Sequence, residues 1–240
     1  MTADSLHVHT RDGAGRPVVF LHGFASHGDA DWPDDTWDPP LTARDQPRVV
    51  IDLPGHGESA GFGVEPAPQV LDRLAAAIAD ACGDAEVDLV GYSLGARLAW
   101  DLASHPSVKV RRVVLGGLSA GEPFSFVDVE GARSAVRTGD SVTDPLTGMI
   151  VGMACLPGNR PHALFDVVEG LGGSPFDPQQ HPVVQPTLLI GGDADAMAAG
   201  IDDLAALLPD AGVQRVPGDH LAALHSPEFV AATLGFLDAD

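Results

Sequence analysis

Lysine is almost missing from this chain of 240 residues: Lys109 stands alone, and the 13 basic residues face 34 acidic ones. The formal charge of -21 and the pI near 4.5 produce a field that repels phosphate backbones and anionic lipid. Nucleic acid and membrane surfaces are therefore excluded as expected partners, and the acidity serves solubility. Cysteine is nearly as scarce. Cys82 and Cys155 are the two present, too few for a disulfide framework or a cysteine metal cage, and both read as small buried residues. No apolar run approaches the length of about 18 residues that a membrane span needs. The start, Met1-Thr2-Ala3-Asp4-Ser5, lacks the basic and apolar stretches of a secretion signal, so a cytoplasmic location is expected. Internal repeats and low-complexity tracts are absent too. What remains is a chain that is 45% hydrophobic, long enough for one large domain or a domain with an insertion.

Short β-branched runs alternate with longer helical patterns, which indicates an α/β architecture with a mostly parallel sheet covered on both faces. Strands are expected at Leu6–Thr10, Pro17–Leu21, Arg48–Asp52, Val87–Gly91, Val110–Leu115, Thr187–Ile190 and Val213–Val216. Helices are expected at Gln69–Ala81, Leu94–Ser104, Ile201–Leu208 and Glu228–Leu237. Between Leu115 and Thr187 the alternation stops. Residues 116–186 are richer in Gly, Pro and Phe, with helical patterns near Val129–Val136 and Leu146–Cys155, and carry too many apolar side chains for a linker. They read as an inserted cap on a core formed by residues 1–115 and 187–240. The stretch Gly28–Pro40, dense in aspartate, reads as a solvated loop; its spacing matches no calcium site.

Chemistry concentrates at the strand ends. Leu89-Val90-Gly91-Tyr92-Ser93-Leu94-Gly95 ends a strand, places one serine between two glycines and opens a helix. A sharp strand-to-helix turn strains the turning residue and tolerates only small neighbours, so Ser93 is exposed at the top of the sheet before a helix N-terminus. His22-Gly23-Phe24 follows the strand Pro17–Leu21. Its glycine lets the N–H of Phe24 turn toward the same point, where it pairs with the N–H of Leu94 as a two-donor oxyanion hole. His22 is read as a structural brace, as are Asp52 and His56 in Asp52-Leu53-Pro54-Gly55-His56-Gly57-Glu58-Ser59. Gly191-Gly192-Asp193-Ala194-Asp195 puts two carboxylates at a later strand tip, and Val216-Pro217-Gly218-Asp219-His220 follows the next strand. A serine hydroxyl has too high a pKa to attack unaided. An imidazole takes its proton, and a carboxylate, Asp195 or Asp193, orients the ring.

These motifs, in this order and approximate spacing, resemble the α/β-hydrolase superfamily over about Val18 to Leu237. The resemblance implies the α/β-hydrolase fold, with a seven- or eight-stranded sheet; one strand alone is readable before Pro17–Leu21, where the family usually has a hairpin. It makes Ser93 the nucleophile, His220 the base and acid, and Asp195, counted from Gly192 in the family's G-x-x-D pattern, the triad acid, with Asp193 as the alternative. His225 takes a helix-start role. No cofactor and no metal are implied, and the expected partner is a small-molecule substrate of a monomer or homodimer.

The leading expectation is a serine hydrolase of a carboxylic ester or related activated carbonyl compound, with Tyr92, Phe124, Met149 and Met153 as pocket candidates. Two alternatives stand beside it. The segment Tyr92–Arg97 resembles GYSLGGR of 2-succinyl-6-hydroxy-2,4-cyclohexadiene-1-carboxylate synthase, a carbon–carbon lyase family that grips carboxylates with arginines. Arg97, Arg111, Arg112, Arg133 and Arg137 are available here, with Ala96 in place of a glycine. The other alternative is a non-catalytic small-molecule binder on the same scaffold.

Overall fold

The computed structural model describes residues 5–59 and 61–239; residues 1–4, which bear on the reading of the chain start, lie outside them. Seven strands form one sheet: β1 (Val8–Arg11), β2 (Val18–Leu21), β3 (Arg48–Ile51), β4 (Val87–Tyr92), β5 (Val110–Gly116), β6 (Thr187–Gly192) and β7 (Ala211–Val216). Their spatial order is β1-β3-β2-β4-β5-β6-β7. Only β1 runs antiparallel, against β3; the other neighbours are parallel.

Side-chain alternation along each strand divides the core into two layers. Val19, Leu21, Val49, Ile51, Leu89 and Val113 pack on one face, with Leu74, Leu98 and Trp100 from helices. Val18, Phe20, Val50, Val90 and Val114 point to the other, against Trp32, Trp37, Leu41 and Phe229. The near-continuous apolar strands thus match a sheet buried on both sides.

Ten helices accompany the sheet among the described residues: α1 (Gly28–Asp31), α2 (Asp34–Thr42), α3 (Ala67–Cys82), α4 (Leu94–Leu102), α5 (Val129–Thr138), α6 (Pro145–Ala154), α7 (Pro161–Gly172), α8 (Ile201–Ala205), α9 (His220–Leu224) and α10 (Pro227–Leu237). A 3₁₀ turn at Pro123–Phe126 and helices α5 to α7 occupy the stretch between β5 and β6. Asp128 and Asp144 cap α5 and α6 by accepting the N–H groups of Gly131 and Thr147.

Four expectations are corrected. The stretch Gly28–Pro40 is not a solvated loop: it holds α1 and most of α2, with Trp32, Trp37 and Asp31 buried. Trp37 and Leu41, one helical turn apart, anchor α2 against the sheet despite Pro39 and Pro40. A twelve-residue helix, α7, starts with a proline in its first turn and buries Leu164, Phe165, Val168 and Leu171, where no helix is expected. Cys155 is exposed and Cys82 only half-buried; both are free thiols. The last helix is capped by Ser226, whose hydroxyl accepts the Phe229 N–H, and His225 ends α9 instead.

Candidate active site

The turn from β4 to α4 sets the geometry. Ser93 has φ 52° and ψ -113°, a conformation that a side chain keeps only when its surroundings enforce it. A Cβ on Gly91 would strike the carbonyl of Gly95, and one on Gly95 would strike the carbonyl of Leu21 at the end of β2. The two glycines of the motif are therefore demanded by close backbone approach, between turn and helix and between helix and sheet.

The segment after β2 is braced as the sequence suggests. The buried His22 donates from Nδ1 to the Gly23 carbonyl at 2.8 Å and accepts the Leu53 N–H on Nε2 at 2.9 Å. Burial lowers its pKa against the pull of Asp31 and Asp52, keeping the ring neutral. Asp52 accepts the N–H groups of Gly28 and Glu58. His56 donates to the Pro54 carbonyl, and its ring packs edge-on against His22 and Phe24. The Phe24 and Leu94 N–H groups have no hydrogen-bond acceptor among the described residues.

At the end of β6, Asp195 is buried and its Oδ2 lies 2.8 Å from Nδ1 of His220. Its Oδ1 accepts the Met197 N–H at 2.9 Å. Burial pushes the Asp195 carboxyl up, but the His220 hydrogen bond and charge, with the Met197 and Ala198 N–H groups, bring it below the usual range. The carboxylate is thus ionised and fixes the imidazole with its proton on Nδ1, leaving Nε2 as the basic nitrogen. Asp193 is exposed and accepts the Gly218 N–H at 3.0 Å, bracing the loop that carries His220. His220 opens α9, capped by Asp219. The Tyr92 hydroxyl donates to the His220 carbonyl at 2.5 Å. Gly117, at φ 59°, leaves room for both rings: a Cβ there would sit 2.8 Å from Tyr92 and 2.9 Å from His220.

Ser93 and His220 line one cavity of about 460 Å³, together with Phe24, Leu94 and all four pocket candidates, Tyr92, Phe124, Met149 and Met153. No hydrogen bond joins the Ser93 hydroxyl to the ring among the described residues. The walls are mostly apolar, with Leu118, Leu146, Ile150, Phe176 and Leu224 added. A larger hollow of about 790 Å³ lies beside β1 and α3; it holds none of the candidate catalytic groups, so the smaller cavity is the candidate site.

Two carboxylates of the cavity wall are not foreseen from the sequence, Asp31 and Glu122. Glu122 faces Arg97, with Oε2 and Nε 3.0 Å apart, although the N–H is not aimed for a hydrogen bond. Burial raises the Glu122 carboxyl and lowers the Arg97 guanidinium, each against the other's charge. The remaining arginines considered for carboxylate binding lie away from the cavity; Arg111 pairs with Asp88 and Arg133 with Asp166 and Glu169. His9, Asp29 and Asp34 form the one group of possible metal donors among the described residues, but Arg48 already binds Asp34.

Comparison with known proteins identifies the fold. A sequence model of the alpha/beta hydrolase fold matches residues 16–135. The 2-succinyl-6-hydroxy-2,4-cyclohexadiene-1-carboxylate synthase of Klebsiella pneumoniae is 36% identical over 131 residues, which is 52% of this chain and 45% of that protein. The chain thus spans about half the length of the curated relatives it matches. MenH from S. aureus superposes with a TM-score of 0.78 at 24% identity, covering 99% of this chain and 98% of that one. A thermophilic esterase from Thermogutta terrifontis gives a TM-score of 0.76 at 18% identity, covering 97% and 93%. No described helix is long and apolar enough to cross a membrane. With the family's sequence model covering half of its residues and the strand order, elbow and strand-end loops in place, this chain belongs to the α/β-hydrolase family.

Proposed function

We propose that the chain is a serine hydrolase acting on an uncharged, largely apolar carboxylic ester or similarly activated carbonyl compound. The observation that carries the reading is the 2.8 Å hydrogen bond from His220 to the buried Asp195, with His220 lining the same apolar cavity as the strained Ser93. Ser93 attacks the carbonyl carbon as Nε2 of His220 takes its proton. Asp195 offsets the charge on the ring. The N–H groups of Phe24 and Leu94 receive the oxyanion, the latter at the N-terminus of α4. His220 then protonates the leaving alcohol and activates the water that releases the acyl group. Substrate enters beside α6, whose Leu146, Met149, Ile150 and Met153 face the cavity. Ser93→Ala and His220→Ala should each lower the hydrolysis of p-nitrophenyl butyrate by at least about 10³-fold with an unchanged circular-dichroism spectrum. Turnover that survives Ser93→Ala would refute the reading.

A second reading has a specific observation behind it. The curated relatives carry the name of a carboxylate-bearing synthase product, and Arg97 stands in the cavity one helical turn beyond Ser93. Against it, Glu122 faces that guanidinium and no other arginine lines the cavity among the described residues. A site for several carboxylates needs more positive charge than this one offers. Activity on a polycarboxylate substrate that vanishes in Arg97→Ala, with no ester hydrolysis, would favour the synthase. A binder without chemistry would leave Ser93 unlabelled by a fluorophosphonate.

A further inference from the structure

The reaction scheme leaves three charged groups of the cavity without a task; Arg97 and Glu122 face each other, and Asp31 stands apart from that pair. Asp31 is 7% exposed and lines the cavity with Gly23, Phe24 and Ser93. A Cβ placed on Gly23 would lie 3.4 Å from Oδ2 of Asp31 and 3.6 Å from Cβ of Ser93, so the carboxylate and the serine flank the same backbone atom. A buried negative charge there opposes an anion forming on the substrate, and burying it is costly unless it is well bonded. Its bonds show what it does. Oδ2 accepts the Gly23 N–H at 2.7 Å, and Oδ1 accepts the Ser26 hydroxyl. These two donors bracket Phe24 and Ala25, and Ala25 stands at φ 59°, where an L side chain stays only under restraint. The backbone bond that closes this turn, from the Ser26 N–H to the Gly23 carbonyl, is long at 3.4 Å. The clamp is therefore shared: the carboxylate holds Gly23 and Ser26 from one side, His22 donates to the Gly23 carbonyl at 2.8 Å, and the Asn159 amide donates to the Ala25 carbonyl at 2.9 Å.

We infer that Asp31 is a positioning residue: it bridges Gly23 and Ser26 and so fixes the direction of the Phe24 N–H that receives the oxyanion. The inference rests on the hydrolase reading, and it assigns the work to hydrogen bonding, not to the charge. An asparagine can keep both contacts, since its carbonyl accepts the Gly23 N–H and its amide donates to the Ser26 oxygen. An alanine keeps neither.

The test compares Asp31→Ala and Asp31→Asn on p-nitrophenyl butyrate and follows hydrogen exchange at the Gly23 and Phe24 amides. Asp31→Ala should lower kcat about 100-fold, the scale of losing one oxyanion donor, with KM within about threefold because substrate binding is not its task. It should also speed exchange at both amides. Asp31→Asn should restore kcat to within about tenfold of the parent and restore protection. Equal loss in both variants would assign the effect to charge and overturn the inference, as would unchanged exchange in Asp31→Ala. If the parent itself shows no Ser93-dependent turnover, the hydrolase reading fails, while the exchange comparison still decides whether Asp31 holds the turn.

Discussion

Acid should unfold this protein through a residue that performs no chemistry. His56 is buried at 1% exposure, donates from Nδ1 to the Pro54 carbonyl, and keeps an unpartnered Nε2. Protonation would place a second N–H and a charge where no acceptor waits. Burial, with the neighbouring His22 and despite the Pro54 bond, lowers its pKa to about 3. In the unfolded chain the same ring titrates near 6.5. The unfolded state therefore binds the proton first, and the folded state loses stability as pH falls from about 6.5 toward about 3. At pH 4.5 this single histidine should cost on the order of 3 kcal/mol relative to pH 7.5, about two pH units at 1.36 kcal/mol each. That is a large fraction of the stability of an ordinary domain. His56→Asn removes the titration and leaves an amide N–H near the position of Nδ1. Urea unfolding followed by tryptophan fluorescence should show the parent losing stability between pH 7.5 and 4.5 more steeply than His56→Asn, by that amount. Parallel pH profiles would refute the reasoning, because groups common to both proteins cancel in the comparison.

Other substitutions address the site and its scaffold. Asp195→Asn should reduce kcat by about 10⁴-fold through loss of the correct imidazole tautomer, whereas Asp193→Asn should stay within about threefold; steady-state ester hydrolysis ranks them, and the reverse order would move the triad to Asp193. Gly95→Ala should destabilise the fold by about 3 kcal/mol, the upper end of overpacking penalties, since its methyl group would meet the Leu21 carbonyl and lie 2.7 Å from that of His22. Denaturant midpoints check it.

Legibility in the sequence followed a physical division. The parallel strands are marked by short β-branched and leucine runs, broken by Asp88 in β4, by Arg111 and Arg112 in β5 and by Gln214 and Arg215 in β7, and the observed strands begin and end within two residues of the expected positions. That an acid and His220 would meet could be expected because each follows its own strand at one end of a parallel sheet, where loops converge; position alone left Asp193 and Asp195 both open, and the family's G-x-x-D pattern favoured Asp195. Helix α2 was hidden because the stretch around Trp37 carries five aspartates and three prolines, Pro33, Pro39 and Pro40. Its burial depends on Phe20 and Phe229, distant in sequence, whose rings meet Trp37 at 5.0 and 6.5 Å. Helix α7 did leave a signal, a proline start with Leu164, Val168 and Leu171 at helical spacing. The roles of Asp31 and Glu122 left none. A carboxylate beside a tryptophan in an acidic stretch is indistinguishable from a solvated one until the chain folds it against Gly23.

An acidic enzyme of the proposed kind faces an electrostatic conflict, because its transition state is itself an anion. Most of the 34 carboxylates lie at the surface, where water and salt screen them beyond about 8 Å. The conflict is concentrated in the three that are buried in or behind the cavity wall, and each has local donors. Asp31 takes the Gly23 N–H and the Ser26 hydroxyl, and Asp195 takes His220 and the Met197 N–H. Glu122 takes the Phe124 N–H and faces Arg97. Because Glu122 offsets the Arg97 charge, the cavity presents little free charge of either sign to a substrate. That balance favours uncharged esters over anionic ones. It also implies that Glu122→Gln, by freeing the Arg97 guanidinium, should shift preference toward a substrate with a carboxylate. The ratio of kcat/KM for a neutral ester and its carboxylate-bearing analogue measures the shift, and an unchanged ratio would show that Arg97 does not reach the substrate.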